Sequence, residues 1–537
     1  MKACEAMVKC LVKESVKVVF GYPGAAICPF YDSLSDTDIR HILVRHEANA
    51  AHSANGYARI TGKPAVCIAT SGPGATNLIT GIATAYMDSI PLVVITGQVN
   101  CDQIGRDVFQ EADITGSAEP FVKHSYLVKN AHDIPKTFKE AFYIAGSGRP
   151  GPVLIDVPFD VQNIDIKFDY PKEVDIRSYK PTGKGNKLQI KRVVSALEES
   201  KRPLICAGGG IFLSNASDEL RLLSEKCGIP IITTMMGISA VSDDYPLYFG
   251  MLGMHGKQIA NKALNDCDLL LLIGARVGDR AVKSPVFLQE TTKIIHIDID
   301  PAEIGKNIGA NIPVVGDAKL ILEQLAEASE VTERNEWIKH LNSMKKTPEY
   351  KPAEKGFINP MKFIADLSER MPAKCVVSAD VGQNQIWTSN NYHIKDGGRF
   401  ITSGGMGTMG YSIPAAVGAK LADKSNEVIA ICGDGSFQMQ MMELATAVQH
   451  DVDIKIIVMN NSRLGMVREY QKIKHDNRLT AVFLDGSPDF IQLARAYGIE
   501  AIRVVDDESA GEAIEKLSSK KGMLFVECVV NPDDSTL

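Results

Sequence analysis

The sequence lacks an apolar run long enough to cross a membrane. A spanning helix needs about 20 consecutive, mostly apolar residues. The longest apolar runs, such as Leu269–Ile273, have only the length of a buried strand. Residues 1–24 interleave Lys and Glu with apolar residues, so they lack the unbroken apolar core of a signal peptide. We therefore predict no membrane span and a fold that begins close to Met1.

The sequence also lacks the cysteine spacing of a disulfide framework or a zinc site. Its 11 cysteines are scattered from Cys4 to Cys528, and no two form a C-x-x-C pair. An odd, scattered set in a long chain is typical of reduced thiols. We predict a cytoplasmic protein.

An excess of positive charge is missing as well. The 537 residues include 58 Lys and Arg against 65 Asp and Glu, a net charge of −7. This balance argues against a general nucleic-acid binder and against a polybasic membrane binder. An anionic substrate must then be held by local Arg, Lys or backbone N–H groups. The composition, with 45% hydrophobic and 23% charged residues, excludes a disordered, collagen-like or coiled-coil chain.

Short β-branched runs alternate with amphipathic stretches of helix length, which predicts an α/β fold of parallel sheets flanked by helices. Charged, Pro-containing connections at 171–187 and 333–356 divide the chain into domains at 1–170, 188–330 and 357–537. Residues 65–97 and 428–461 share a strand–turn–helix–strand order, so we predict related first and third domains around a different middle one. The predicted strands are Val66–Ala69, Leu92–Thr96, Val153–Val157, Leu204–Cys206, Ile231–Thr233, Leu269–Ile273, Ile294–Ile297, Val428–Ile431 and Ile454–Met459.

The strongest motif lies in the third domain. A strand runs into Gly433, Asp434, Gly435 and Ser436, and the next strand ends at Asn461, 27 residues after Asp434. The two polar side chains would face each other across the carboxyl edge of a parallel sheet, where such sheets bind ligands. Carboxylate and amide oxygens suit Mg²⁺, and the glycines let a diphosphate approach a helix N-terminus. The simpler alternative is a turn without a ligand.

This pattern resembles the metal and diphosphate signature of thiamine diphosphate enzymes. The resemblance implies a glutamate from another domain that contacts N1′ of the cofactor, and Glu47 fits, before the helix-like stretch Ala48–Arg59. The alternative is a surface charge that stabilises a helix dipole. The apolar, small residues that follow favour burial, where a carboxylate needs a partner.

Further motifs narrow the resemblance to the catalytic subunit of acetohydroxyacid synthase (acetolactate synthase), over nearly the whole chain. That family decarboxylates pyruvate on thiamine diphosphate and joins the two-carbon unit to a second 2-ketoacid, pyruvate or 2-ketobutyrate, in branched-chain amino acid biosynthesis. It implies a homodimer or homotetramer with active sites between chains and a possible separate regulatory subunit. The matching motifs are Phe20–Gly24, Arg45–Glu47, Thr70–Gly74, Phe109–Asp113, Gly250–Gly256, Gly274–Arg276 with Asp279 and Arg280, Val381–Gln383, Gly404–Pro414 and Leu464–Arg468.

The resemblance assigns roles residue by residue. Glu47, Gly24 and Gln110 would be catalytic, and Phe109, Arg280, Tyr470, Met254 and Phe159 would contact substrate. Arg280 would pair in two places with the carboxylate of the second 2-ketoacid, although it could also form a structural ion pair. Asp434, Asn461 and the backbone oxygen of Arg463 would hold Mg²⁺. The thiamine diphosphate contacts would be Val381, Gly382, Gln383, Met409, Gly433, Asp434, Gly435, Ser436, Asn461 and Met466.

The middle domain carries a glycine-rich turn, Gly208–Gly210, but position 213 is Leu and no acid follows the next strand. A simple NAD site is therefore not favoured. The resemblance implies FAD instead, held through this turn, Arg149 and the acids after the later strands. The alternative is a nucleotide-type fold that holds nothing. The implied FAD contacts are Arg149, Gly209, His255, Arg276, Asp298 and Asp317.

Four features depart from the family pattern. Phe159 replaces a lysine, and Tyr470 replaces a tryptophan that favours 2-ketobutyrate, so we expect a weaker preference for the larger acceptor. The segment Arg276–Arg280 loses an aromatic and a carboxylate, and the chain has a shorter C-terminal arm, which predicts a less closed site. A pyruvate oxidase, another carboligase, a 2-ketoacid decarboxylase, a synthase with shifted substrate or a non-catalytic binding protein remain alternatives.

Overall fold

The computed structural model describes residues 1–282 and 285–536, which form three six-stranded sheets with helices on both faces. Every strand pairing in the three sheets is parallel, as the buried β-branched runs predict. Each strand predicted above is found, with bounds that differ by at most two residues. Within the described ranges, no helix combines the length and the apolar character needed to cross a bilayer.

The first sheet has the strand order β2-β1-β3-β4-β6-β5. Its strands are β1 (Val18–Tyr22), β2 (Arg40–Leu43), β3 (Ala65–Ala69), β4 (Leu92–Gln98), β5 (His124–Leu127) and β6 (Val153–Pro158). Its helices are α1 (Ala3–Lys13), α2 (Cys28–Leu34), α3 (Glu47–Thr61), α4 (Pro73–Asn77), α5 (Ile79–Met87), α6 (Ile114–Ala118), α7 (Ile134–Gly146) and α8 (Phe159–Gln162).

The middle sheet has the order β12-β11-β10-β7-β8-β9. Its strands are β7 (Pro203–Ala207), β8 (Ile231–Thr233), β9 (Tyr248–Met251), β10 (Leu269–Ile273), β11 (Lys293–Asp298) and β12 (Ile312–Val315). Its helices are α9 (Lys187–Glu199), α10 (Gly210–Leu213), α11 (Ser217–Cys227), α12 (Gln258–Asp266), α13 (Pro285–Thr291), α14 (Ala318–Ala328) and α15 (Asn335–Ser343).

The third sheet has the order β14-β13-β15-β16-β18-β17. Its strands are β13 (Cys375–Ala379), β14 (Arg399–Thr402), β15 (Glu427–Gly433), β16 (Lys455–Asn460), β17 (Glu500–Val504) and β18 (Leu524–Val529). Its helices are α16 (Pro360–Arg370), α17 (Gln383–Asn391), α18 (Ser412–Ala422), α19 (Asp434–Gln438), α20 (Glu443–Gln449), α21 (Gly465–Lys474), α22 (Phe490–Ala496) and α23 (Asp507–Ser519).

The strand orders confirm the predicted kinship of the outer domains. Numbered within each domain, the first and third sheets share one order, 2-1-3-4-6-5. The middle sheet reads 3-2-1-4-5-6, the order of dinucleotide-binding folds. The predicted fold class, two related domains around a nucleotide-type domain, is confirmed.

The first sheet is buried on both faces because successive residues of a strand point to opposite sides. Val66 and Ile68 of β3 belong to the apolar cluster on one side, whereas Cys67 and Ala69 belong to the cluster on the other. All seven residues of β4 are buried. A strand with two covered faces must be apolar throughout, which explains the unbroken apolar runs in the sequence.

The first and third domains meet most closely where α3 packs against α18. Gly56 of α3 lies against the backbone of Ala415, and Gly418 of α18 lies against the backbone of Ser53. A Cβ atom on either glycine would overlap the facing carbonyl oxygen. The two missing side chains therefore set the distance between the helices, and α3 begins at Glu47.

Replacing one of these glycines tests the contact. We expect Gly418→Ala to destabilise the protein by about 1–3 kcal/mol or more, because the methyl group forces the helices apart. The matched control is Gly511→Ala in α23, where no atom lies within 4 Å of the added Cβ. That change should stabilise its helix by about 0.5–1 kcal/mol. Thermal midpoints at one scan rate provide the measurement, and equal midpoints for the two variants would contradict the role of Gly418.

Candidate active site

Most of the predicted site residues follow the carboxyl ends of strands, whereas Arg149 precedes β6. In each sheet, the chain reverses its direction of strand addition between two neighbouring strands: β1 and β3, β7 and β10, and β13 and β15. Open α/β sheets bind ligands at such a switch point. The structure gathers the predicted residues into three groups, one beside each switch point.

The first group is the turn between β15 and α19. Asp434 opens α19 and is 2% exposed. Burial raises the pKa of its carboxyl group to about 7. Its Oδ2 atom is buried and, among the described residues, has no hydrogen-bond partner. A buried carboxylate oxygen without a partner is costly, and a bound cation would remove that cost.

Asn461 follows β16 and faces the same turn. Its Nδ2 donates to Gln383 Oε1 at 2.8 Å, and its Oδ1 accepts from the backbone N–H of Arg463 at 3.1 Å. One short turn thus carries an amide oxygen and the main chain of Arg463 close to Asp434. These oxygen groups suit Mg²⁺, which needs few protein ligands. The described residues contain no group of three His, Cys, Asp or Glu side chains that could hold a metal.

Glycine and methionine line the rest of this turn. The Gly433 N–H donates to Ser436 Oγ at 3.2 Å, which fixes the start of α19. A Cβ atom on Gly435 would lie 2.8 Å from the Leu464 side chain and 3.6 Å from Met409 Cε. The turn is narrow, and glycine leaves its backbone accessible to a ligand.

The Gln383 side chain forms hydrogen bonds within the protein, and its contact with the cofactor stays a prediction. Its Nε2 donates to Glu469 Oε1 at 2.7 Å and to the Asp534 carbonyl at 2.8 Å. Both amide hydrogens are therefore used within the protein, and Oε1 accepts from Asn461. In this structure, the side chain braces α17 against α21 and the segment near Asp534.

The second group surrounds Glu47 in the first domain. Asn77 Nδ2 donates to Glu47 Oε2 at 2.9 Å, and a Cβ on Gly74 would lie 3.4 Å from Glu47 Oε1. Gly74 and Gly24 both pack against the Thr70 side chain. The sequence predicts a strand over His41–Glu47, but β2 ends at Leu43, because the Arg45 backbone N–H bonds to Glu443 of the third domain instead of the first sheet.

Gln110 joins this group through a tight backbone contact. Gly72 has φ +59°, and a Cβ there would lie 2.9 Å from the Gln110 Cα. Gln110 itself has φ 58°, a conformation that costs energy for a side chain other than glycine. In this strained backbone conformation, Gln110 lies beside the turn that carries Gly74.

The face around this second group is open in the single chain. Phe109 is 87% exposed, and Phe159 is 40% exposed. Tyr470 on α21 is 60% exposed and lies 5.7 Å from the His475 ring, measured between centroids. Large exposed rings such as that of Phe109 are typical of a surface that another chain covers.

The third group lines a cavity of about 870 Å³ formed by all three domains. Arg280 and Met254 meet there, with Arg280 Nη1 3.7 Å from Met254 Sδ. Glu47, Gly24 and Gln110 do not belong to the described lining, so one chain does not combine the first-domain group with this cavity. The predicted residues that do line it are Arg149, Gly209, Met254, His255, Arg276, Arg280, Asp298, Asp317, Val381, Gly382 and Met466.

The polar groups of the cavity suit a nucleotide-type ligand. Arg149 Nη1 pairs with Asp300 Oδ2 at 3.2 Å and with Glu303 Oε1 at 2.8 Å, which joins the first domain to the second. Burial raises the pKa of Asp298 to about 6. His255 Nδ1 is buried and, among the described residues, has no hydrogen-bond partner. The glycine-rich turn after β7 contributes close backbone to the same wall.

Two residues of the first-domain group are absent from the sequence-based assignment. Thr70 separates Gly24 from Gly74, and Asn77 holds the Glu47 carboxylate. Both lie in or just after Thr70–Gly74, one of the motifs that carry the resemblance. That motif marks the segment but does not show which side chains reach Glu47.

Comparisons with known proteins agree with this geometry. Residues 1–117, 190–325 and 380–528 match the N-terminal TPP binding, central and C-terminal TPP binding domains of thiamine pyrophosphate enzymes. A probable acetolactate synthase large subunit of Methanocaldococcus jannaschii is 45% identical over 100% of this chain and 93% of its own. The chain belongs to the acetolactate synthase large-subunit family. Large subunits of Buchnera aphidicola and Haemophilus influenzae are 43% and 41% identical, each over 100% of this chain and 95% of their own.

Within this thiamine pyrophosphate enzyme family, the turn at Asp434 and Asn461 is the candidate metal and diphosphate site. We expect Asp434→Asn to weaken Mg²⁺-dependent binding of thiamine diphosphate more than about tenfold, because it removes the only carboxylate of the turn. Calorimetric titration with and without Mg²⁺ provides the measurement. Asp485→Asn is the control, since Asp485 is exposed but lies 3.6 Å from the Arg463 guanidinium. Equal affinities for the two variants would contradict the assignment.

Proposed function

We propose that this chain is an acetolactate synthase that decarboxylates pyruvate and transfers the two-carbon unit to a second 2-ketoacid, pyruvate or 2-ketobutyrate, in branched-chain amino acid biosynthesis. The observation that carries the proposal is the turn at Asp434, where a buried carboxylate oxygen lacks a partner among the described residues. Relatives named acetolactate synthase that match over the full chain support the choice of reaction.

Thiamine diphosphate, when bound, supplies the electron sink for loss of CO₂ and for carbon–carbon bond formation. Asp434, Asn461 and the Arg463 carbonyl would hold Mg²⁺, and Gly433–Ser436 would leave their backbone open to the diphosphate. Val381, Gly382, Met409 and Met466 would bind the rest of the cofactor. Gln383 supports this site through Asn461.

Glu47 exchanges a proton with N1′ of the cofactor. Asn77 donates to Oε2, which leaves Oε1 beside Gly74, where the absence of a side chain provides room for the ring. Gly24 contributes backbone to the same pocket, and Gln110 and Phe109 line the reacting side. Arg280, beside Met254, binds the carboxylate of the second 2-ketoacid through paired charge-assisted hydrogen bonds. Phe159 adds an apolar wall.

FAD occupies the cavity of the middle domain in this proposal. Arg149, Gly209, His255, Arg276, Asp298 and Asp317 line that cavity together with residues of the third domain. The strand order 3-2-1-4-5-6 and the position of the cavity at its switch point support a dinucleotide ligand.

The active site lies between two chains of a homodimer or a homotetramer. The exposure of Phe109 and the separation of the Glu47 group from the cavity support a second chain that completes the site. Because several relatives are named large subunits, a separate regulatory subunit is part of the proposal. The 11 unpaired cysteines support a reducing, cytoplasmic setting.

The proposed role of Glu47 predicts that its isosteric variant, Glu47→Gln, is nearly inactive. Glu47→Gln should reduce acetolactate formation from pyruvate to less than about a tenth of the wild-type rate, because an amide cannot exchange the proton at N1′. Product analysis distinguishes acetolactate from acetaldehyde and acetyl phosphate, so it also tests the reaction type. The exposed Glu119→Gln is the control in the same domain. A Glu47→Gln variant that retains more activity, or a wild type that forms another product, would contradict the proposal.

The ring at position 470 is expected to influence which 2-ketoacid serves as the acceptor. With pyruvate and 2-ketobutyrate in competition, we expect Tyr470→Trp to raise the share of 2-aceto-2-hydroxybutyrate several-fold, because the larger ring adds apolar contact for the extra methyl group (about 1 kcal/mol). The product ratio is measured by chromatography. Tyr497→Trp serves as the control, since Tyr497 directly follows α22, a helix of the same domain that carries none of the proposed site residues. An unchanged ratio would show that Tyr470 does not contact the acceptor.

A further inference from the structure

A helix of the third domain lies against the turn that carries Glu47. This helix is α20, and its contacts reach the end of β2 and the start of α3. Leu43 N–H donates to His450 Nε2 at 2.9 Å, and Arg45 Nη2 donates to Gln449 Oε1 at 2.6 Å. These bonds hold the edge of the turn before Glu47, but neither joins α20 to residues on both sides of Glu47.

Glu443, the first residue of α20, does reach them. Its Oε1 accepts from the Arg45 backbone N–H at 2.8 Å and from Asn49 Nδ2 at 3.0 Å. One carboxylate oxygen therefore bonds to residues two positions before and two positions after Glu47. The Oε2 atom accepts from Thr446 Oγ1 at 2.6 Å. Glu443 is 1% exposed, so these bonds do not compete with water.

The buried position of the Glu443 carboxylate costs free energy, which its contacts at this turn must offset. Burial raises the pKa of its carboxyl group, and no salt bridge compensates it in the described part of the chain. The hydrogen bonds from the Arg45 N–H, Asn49 and Thr446 offset the cost of burial, and removing the carboxylate would take away the acceptor of these buried donors. What the carboxylate provides is a restraint on residues 45–49, since the Arg45 N–H has left the sheet ladder and Asn49 lies in the first turn of α3.

We propose that Glu443 is a positioning residue that fixes the Glu47 carboxylate for proton exchange with the cofactor. The inference rests on the proposed function, because it assumes that Glu47 acts on N1′. A shift of about 1 Å in a reacting group can cost on the order of a hundredfold in rate. Glu443 would then affect the proton transfer more strongly than it affects cofactor binding, since it does not touch the metal turn.

The first measurement is the rate of hydrogen–deuterium exchange at C2 of thiamine diphosphate in the substrate-free holoenzyme, followed by NMR after acid quench. We expect Glu443→Ala to slow this exchange about ten- to a hundredfold. Affinity for the Mg²⁺–cofactor complex should stay within about threefold of wild type. Glu443→Gln should restore the exchange rate to within about threefold, because the amide oxygen still accepts from Arg45 and Asn49 while the Thr446 hydroxyl rotates.

A second measurement needs no cofactor. Amide hydrogen exchange of the cofactor-free protein, read by mass spectrometry over residues 43–50, should be about tenfold faster in Glu443→Ala than in wild type. Glu443→Gln should show the wild-type protection. This readout reports the restraint itself, whatever the reaction.

Gln449→Ala is the matched control, because it removes a bond between α20 and the same turn without touching the backbone next to Glu47. Its C2 exchange rate should stay within about threefold of wild type. If Gln449→Ala slows the exchange as much as Glu443→Ala, the effect is general loosening of the interface and the proposal is wrong. A Glu443→Ala rate within about twofold of wild type would also overturn it. If Glu443→Ala does not fold, Glu443→Asp, which shortens the reach by one methylene, must show the slowed exchange.

Glu47→Gln is run in parallel to separate the two ideas. If Glu47→Gln exchanges at the wild-type rate, Glu47 does not act on the cofactor, and the proposed function fails together with the inference. If Glu47→Gln is slow but Glu443→Ala is not, only the role of Glu443 is refuted.

Discussion

The close approach of α3 and α18 is the interaction on which the arrangement of the two outer domains depends. Gly56 and Gly418 let each helix rest on the backbone of the other. Because α3 begins at Glu47, this contact places the carboxylate relative to the third domain of the same chain. Other bonds reinforce that approach: Arg59, which forms a buried ion pair with Asp88 of its own domain, also donates to the Thr402 carbonyl of the third domain at 3.1 Å.

Asp88 shows how far the reinforcement extends. Besides Arg59, its carboxylate accepts from the backbone N–H groups of Gly404 and Gly405 at 3.3 and 2.7 Å. Arg276 of the middle domain lies beside Gly405 as well. A single buried acid of the first domain therefore organises a loop of the third domain at the wall of the cavity. The cavity needs all three domains in register, which explains why its polar groups are distant in the sequence.

Because the chain is acidic, it must bind anions through a few local groups. With a net charge of −7, the protein repels anions at long range. The candidate site replaces that missing attraction with a few groups: a cation site at Asp434, backbone N–H groups at helix starts, and Arg280 at the cavity. Burial of Asp434 increases the strength of its interaction with a cation, since little water competes there.

The sequence by itself determined the fold class, the kinship of the outer domains and the positions of Asp434 and Asn461 at strand ends. The reason is that a parallel strand covered on both faces must be apolar throughout, so the point where such a strand ends is visible in the sequence. Asp434 follows β15 and Asn461 follows β16, as predicted, whereas their binding of a metal stays a prediction. Only the tertiary structure decided three contacts. Gln383 donates to Glu469, Arg149 pairs with Glu303 of the middle domain, and Glu443 accepts from the turn that carries Glu47. These contacts join residues that no local pattern relates, because their partners come together only when the domains pack.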